Sequence, residues 1–178
     1  ALRLMRAVEE SLAPRSGADF FPELVKALAQ ALHAHCAFVS EFDTQTYQAN
    51  VLAFWAGGSF EKPFIYPLTG SPCECVLDGE ITSFSENIKD LFPAEREAFE
   101  AMSAESYLAI PLVAADQRVC GHLAVIDQRK RDWSEADLGV LRIFSTRAAV
   151  ELERQHFELK LESINDSLKN ANAQGEYY

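Results

Sequence analysis

The sequence predicts an α+β domain built on one central sheet of antiparallel strands. Two pairs of runs rich in aromatic and β-branched residues, each pair joined by a short polar stretch, read as hairpins. Apolar residues at helical spacing bracket them at both ends. Runs of antiparallel strands bounded by helices form one sheet with helices packed against it.

Each element has its own signal. Residues 1–13 place Leu2, Met5, Val8 and Leu12 on one helical face, and the stretch from Pro14 to Gly17 breaks the pattern, so 1–17 reads as a helix and linker. Asp19 is the expected N-cap of a second helix, "FFPELVKALAQALHAH" (20–35), with Pro22 in its first turn and Leu24, Leu28, Ala31 and Leu32 on one face. "CAFVSEFD" (36–43) and "QANVLAFWA" (48–56) form the first hairpin, which Gly57-Gly58 ends. "KPFIYPL" (62–68) is extended and edge-like because of its prolines. From Ser71 to Met102 the chain is mixed: a helical turn near Cys75 to Leu77, a brief strand "ITSF", "ENIKDLFP", and a helix "AEREAFEAM" read as a solvated acidic face.

"SYLAIPLVA" (106–114) and "VCGHLAVID" (119–127) make the second hairpin. Both are almost continuously apolar, whereas a strand with one wet face alternates. Both sheet faces are therefore covered, one by the long helices and the other by the 57–102 region. Ser134 caps a final helix with Glu135 and Asp137 in its first turn, running unbroken through "HFELKLESINDSLKNAN". Its apolar residues Phe157, Leu161, Ile164 and Leu168 fall at a four-three-four step, a narrow seam for a partner helix. Glu151 and Glu153, beside Arg147 and Arg154, read as surface helix pairs. The domain is placed at 18–155, with 156–178 a coiled-coil-like signalling helix.

Composition narrows the partners. A net charge of −11, from 16 Lys and Arg against 27 Asp and Glu, speaks against a phosphate-tracking surface and an anionic membrane. No apolar run approaches the ~20 residues of a membrane span, and "ALRLMRAVEE" has no signal-peptide pattern and no initiating Met, so the chain reads as an excised piece. The four cysteines, Cys36, Cys73, Cys75 and Cys120, show no disulfide framework. Cys73-x-Cys75 is too closely spaced for a structural zinc clip and has no partner pair, so no metal site is expected. A reducing, cytoplasmic setting follows.

"SYLAIPLVAADQRVCGHLAVID" followed by "LRIFSTRAAVELERQ", with "GSPCECVLDGE" and "ENIKDLFP" before them, resembles a GAF domain over about residues 20 to 155. It is similar to the sensory GAF modules of bacterial histidine kinases, diguanylate cyclases and enhancer-type transcription regulators. The resemblance implies a GAF/PAS-like antiparallel sheet of about six strands, with the terminal helices on one face and a small-molecule pocket with short helices on the other. It implies a regulatory, non-catalytic role in a homodimer joined through the terminal helices and passing a signal to an output module. Subgroup signatures are missing. Asn87-Ile88-Lys89-Asp90 lacks the rest of the cyclic-nucleotide pattern. Cys73 and Cys75 lack the neighbouring His of bilin attachment. Haem would rest on His122 alone and is not favoured, so the cofactor stays open.

Within that frame Phe54, Phe64, Tyr66, Cys73, Phe84, Asn87, Phe92, Tyr107 and His122 are the expected ligand-binding residues, with Ser83 a further polar candidate. The aromatic residues either line a cavity or fill it as a second core. Alternation sets Cys120, His122 and Ala124 on one face and Leu123 and Val125 on the other. His122 reads as a ligand contact or as a core histidine. Cys73 and Cys75 read as pocket wall, or as the thiols of a free methionine sulfoxide reductase, which "SPCECVLDG" resembles loosely. His33, His35 and His156 read as solvent-facing.

Overall fold

A computed structural model describes residues 17–175; the predicted helix at 1–13 lies outside them. In chain order the elements are α1 (Phe20–Ala31), β1 (Cys36–Asp43), β2 (Gln48–Ala56), β3 (Ser59–Phe60), β4 (Ile65–Pro67), a 3₁₀ segment (Pro72–Asp78) and β5 (Thr82–Phe84). There follow α2 (Ile88–Leu91), a 3₁₀ turn (Pro93–Glu95), α3 (Arg96–Ala101), β6 (Ser106–Val113), β7 (Val119–Asp127) and α4 (Glu135–Gly175). The seven strands make one antiparallel sheet in the order β3-β2-β1-β7-β6-β5, with β4 on the same edge of β2 as β3.

Local chemistry explains where elements stop. α1 ends at Ala31 rather than reaching His35, because His33 takes a left-handed backbone (φ 49°). His33 N–H then bonds to Gln30 O, and Ala34 N–H to Ala29 O, a Schellman closure. The carbonyls of Leu32 and His33 accept from Arg131 and Arg129, and both guanidinium groups also hold the buried Asp127 carboxylate. Burial works to raise the Asp127 carboxyl, but the two arginines and the Gln128 N–H outweigh it and hold its pKa below normal. This clamp ties the end of β7 to the end of α1. Gly57 and Gly58 do not end the first hairpin region but reverse it: their positive φ angles (58° and 113°) suit a two-residue turn, and Ser59–Phe60 pairs back onto Ala56 and Trp55. At the start of α4, Ser134 Oγ accepts from Asp137 N–H while the Asp137 carboxylate accepts from Ser134 N–H.

The sheet carries two cores. On one face α1 and the first half of α4 cover Ala37, Val39, Ala53, Leu108, Ile110, Leu112, Leu123 and Val125. On the other, the 57–102 chain covers Cys36, Phe38, Val51, Phe54, Tyr107, Ala109, Ala124 and Ile126. Strict alternation would put Phe54 with the helices. An irregularity between Val39 and Ser40 on β1 leaves Leu52 as an extra residue in β2, which moves Ala53 to the helix side and Phe54 to the roofed side. A second irregularity beside Leu112 turns Cys120 away from His122, against simple alternation, so that its thiol donates to Leu112 O and packs with the helix-side core.

α4 changes character along its length. Leu141, Phe144, Ala148 and Leu152 are buried, and beyond Leu152 no described residue of the helix is. Glu151 is buried rather than a surface partner: Arg154, Gln155 and the Gly17 N–H all donate to it, and Arg154 foremost holds its pKa down. Glu153 accepts instead from Ala115 N–H at 2.8 Å. Phe157, Leu161, Ile164 and Leu168 are all exposed.

Candidate functional site

Beneath the 57–102 chain lies an aromatic cavity of about 70 Å³. The sheet contributes Phe38, Phe54, Tyr66 and Tyr107 as its floor and sides. Phe64, Ser71 and the start of the 3₁₀ segment, Pro72 and Cys73, add to the sides, and the α3 region adds Glu95, Ala98, Phe99 and Met102. Larger depressions, at the β1–β2 tip beside Glu41 and Arg118 and between the β6–β7 hairpin and α4, have polar or mixed linings. Among the described residues the aromatic cavity has the most strongly apolar lining of these depressions, the character of a small-molecule site.

Its back wall is a chain of three side chains. Tyr66 O–H donates to Cys73 Sγ at 2.9 Å, and Tyr107 O–H lies 3.3 Å from the same sulfur. Burial pushes the Cys73 thiol up to about 11, although hydrogen bonds from Tyr107, Tyr66 and Ser71 work the other way. Burial likewise drives both tyrosine hydroxyls well above the usual phenol range. At neutral pH all three groups are protonated and uncharged. Cys75 points outward, and partial burial with Glu74 and Asp78 nearby raises it as well. Neither thiol is the low-pKa thiolate that nucleophilic chemistry requires, and the Cys73 sulfur is occupied as an anchor of the wall.

Of the nine expected ligand residues, Phe54, Phe64, Tyr66, Cys73 and Tyr107 meet at this cavity. Phe84 and Phe92 pack edge to face on each other at 5.1 Å, behind Tyr107 and off the lining. Asn87 is exposed: its left-handed backbone (φ 60°) opens α2, and its N–H donates to Glu105. Ser83 is exposed too. His122 does face the roofed side but is sealed off from the cavity, its ring 5.2 Å from Phe38 and 5.1 Å from Phe42. Among the described residues neither ring nitrogen has a hydrogen-bond partner, and burial lowers its pKa to about 3. His33 is exposed; His35 is half-buried against Gly57, and His156 contacts Glu41 at 2.7 Å.

Sequence reasoning missed Phe38, Phe99, Met102 and Glu95. Phe99 and Met102 lie three apart in "AEREAFEAM", an apolar pair within the stretch read as an acidic face. Phe38 alternates with Cys36 in β1, which was signal enough to place it. Among the described residues no group of three or more His, Cys, Asp or Glu is arranged to hold a metal.

One antiparallel sheet with helices on one face and a roofed aromatic pocket on the other defines the GAF/PAS class of α+β domain. The GAF domain family matches residues 17–152, and the chain belongs to it. The fold is similar to the GAF domain of a phosphoenolpyruvate-protein phosphotransferase from Coxiella burnetii (TM-score 0.72, 16% identity, 88% of this chain and 95% of that one). It is also similar to a methyl-accepting chemotaxis protein fragment (0.63, 16%, 83% and 95%). A third likeness is to the chromophore-binding domain of a Stigmatella aurantiaca phytochrome (0.64, 14%, 84%), of which this chain spans 59%. No curated protein matches the sequence.

Proposed function

We propose that the protein is a sensory or regulatory GAF module that binds a small molecule in the aromatic cavity and passes the event along α4. One observation carries this reading. Tyr107 and Ala109 on β6 line or underlie the cavity side, while Leu108 and Ile110, their alternate neighbours, pack with α1 and α4. A guest that shifts β6 therefore bears on the helix that leaves the domain. Such a shift needs differential affinity for two arrangements. The family's regulatory character, and the presence of this fold in chemotaxis, phosphotransferase and phytochrome proteins, support the same role.

The exposed seam Phe157, Leu161, Ile164 and Leu168 supports a homodimer through α4, feeding an output module of a bacterial signalling protein, two-component or similar, in the cytoplasm. Among the described residues no helix is long and apolar enough to cross a membrane. The buried, protonated Cys73 supports a non-catalytic role. Leu161→Asp should convert the dimer to a monomer by light scattering without lowering the melting temperature of the GAF body. An unchanged mass would move the interface elsewhere.

A second reading, a ligand-free pairing module, is favoured by the cavity's size: about 70 Å³, against the ~300–1,000 Å³ of typical ligand sites. A thermal-shift screen of small fragments separates the two. The sensor reading expects binders whose affinity falls by roughly 2- to 10-fold in Phe64→Ala, a change at the exposed rim that leaves the core intact. Undiminished binding in that variant would place the site elsewhere, and a screen with no binder at all would leave the pairing module.

A further inference from the structure

Five polar side chains line the cavity: Tyr66, Ser71, Cys73, Tyr107 and Glu95. Four are committed to the wall. The two tyrosines and Cys73 bond to one another, and Ser71 Oγ donates to Leu68 O at 2.7 Å. Glu95 is different. It is half-buried at the mouth, and among the described residues it has neither a hydrogen-bond partner nor an ion pair for its carboxylate. The nearest basic residue in sequence, Arg96, is turned to Asp90 at 3.0 Å. Phe54, Phe64, Tyr66 and Phe99 line the same cavity as Glu95.

An aromatic enclosure with a single unpaired carboxylate is the arrangement that attracts a cation with an apolar skin. Ring quadrupoles present negative faces, and a carboxylate in partly desolvated surroundings gains from a positive guest more than it would in water. Size narrows the guest further. About 70 Å³ is roughly half of the ~150 Å³ that admits benzene in an engineered protein cavity, so only a handful of heavy atoms can enter. The overall charge of −11 draws cations toward the surface.

We propose that the ligand of this cavity is a compact methylated or alkyl ammonium cation, held by the aromatic walls and countered by Glu95; this rests on the cavity being the ligand site. Burial raises the Glu95 carboxyl above its ordinary value, and a cation seated beside it would oppose that shift.

The test uses the methyl resonance of Met102, a lining residue, in protein labelled at methionine. Tetramethylammonium chloride is titrated against tert-butanol, a neutral molecule of similar shape, with sodium chloride matching the ionic strength. The cation should half-saturate the Met102 shift at a concentration lower by about fivefold or more. In Glu95→Gln the two should come within about twofold of each other. Equal affinities in the wild-type protein, or a preference that survives Glu95→Gln, would overturn the ammonium inference and leave the sensor reading standing. If Met102 is moved neither by the cation nor by tert-butanol or any other neutral fragment of similar size, both fall together.

Discussion

Lowering the pH from 6.5 to 5 should destabilise this domain by on the order of 2 kcal/mol through His122 alone. The ring is fully buried between Phe38 and Phe42, and burial depresses its pKa from 6.5 to about 3. The sign is fixed by which state takes up the proton. Below pH 6.5 the unfolded chain protonates this histidine and the folded chain does not, so stability is complete above 6.5 and drains away as pH falls toward 3. The carboxylates with depressed pKa values, Asp43, Asp127 and Glu151, start from ordinary values of 3.8, 3.8 and 4.5 and act mainly below that window. The melting temperature should fall by roughly 4–8 °C between pH 6.5 and 5. In His122→Phe that slope should largely disappear. Equal slopes in the two proteins would mean that the imidazole is hydrated and not sealed.

Gly121→Ala should be worse than any surface change, costing about 3 kcal/mol or more. A Cβ at Gly121 would lie 2.1 Å from the Ser40 carbonyl oxygen and 3.1 Å from Glu41 Cα. These are backbone atoms of the neighbouring central strand, so no side chain can step aside. β1 and β7 would have to part where Glu41 faces Gly121. Gly139→Ala is the control: nothing lies within 4 Å of its Cβ, and in a helix the change should gain roughly 0.5–1 kcal/mol. Denaturant unfolding of both variants checks the pair, and a Gly121→Ala protein as stable as wild type would contradict the close strand approach.

Much of this frame was legible in the residues. β1, β2 and β7 begin and end where the runs of aromatic and β-branched residues do, and α4 starts at its Ser134 cap. Continuous apolarity in β6 and β7 announced a sheet covered on both sides. Legibility ended where geometry departs from a simple period. Leu52 and Cys120 are extra residues in their ladders, and period-two counting has no sign for a bulge. It therefore put Cys120 beside His122, whereas the bulge turns it to the helix side. His33 stopped α1 through a left-handed backbone that glycine or asparagine would have advertised.

The site was partly legible for a related reason. Aromatic residues near the insert were easy to mark, but which of them share a cavity depends on how an irregular chain folds across a sheet. Phe84 and Phe92 satisfy each other a layer away. Glu95 and Phe99, which do reach the cavity, sat inside a stretch whose acids suggested a wet helix.

A crystal structure of the domain with a stabilising fragment tests most directly whether the space under the roof is a receptor. Density enclosed by Phe38, Phe54, Phe99 and Tyr107, with the roof displaced to admit it, is the expected result. A fragment seated only in the groove beside Glu41 and Arg118, with the aromatic cavity unchanged and empty, would contradict it.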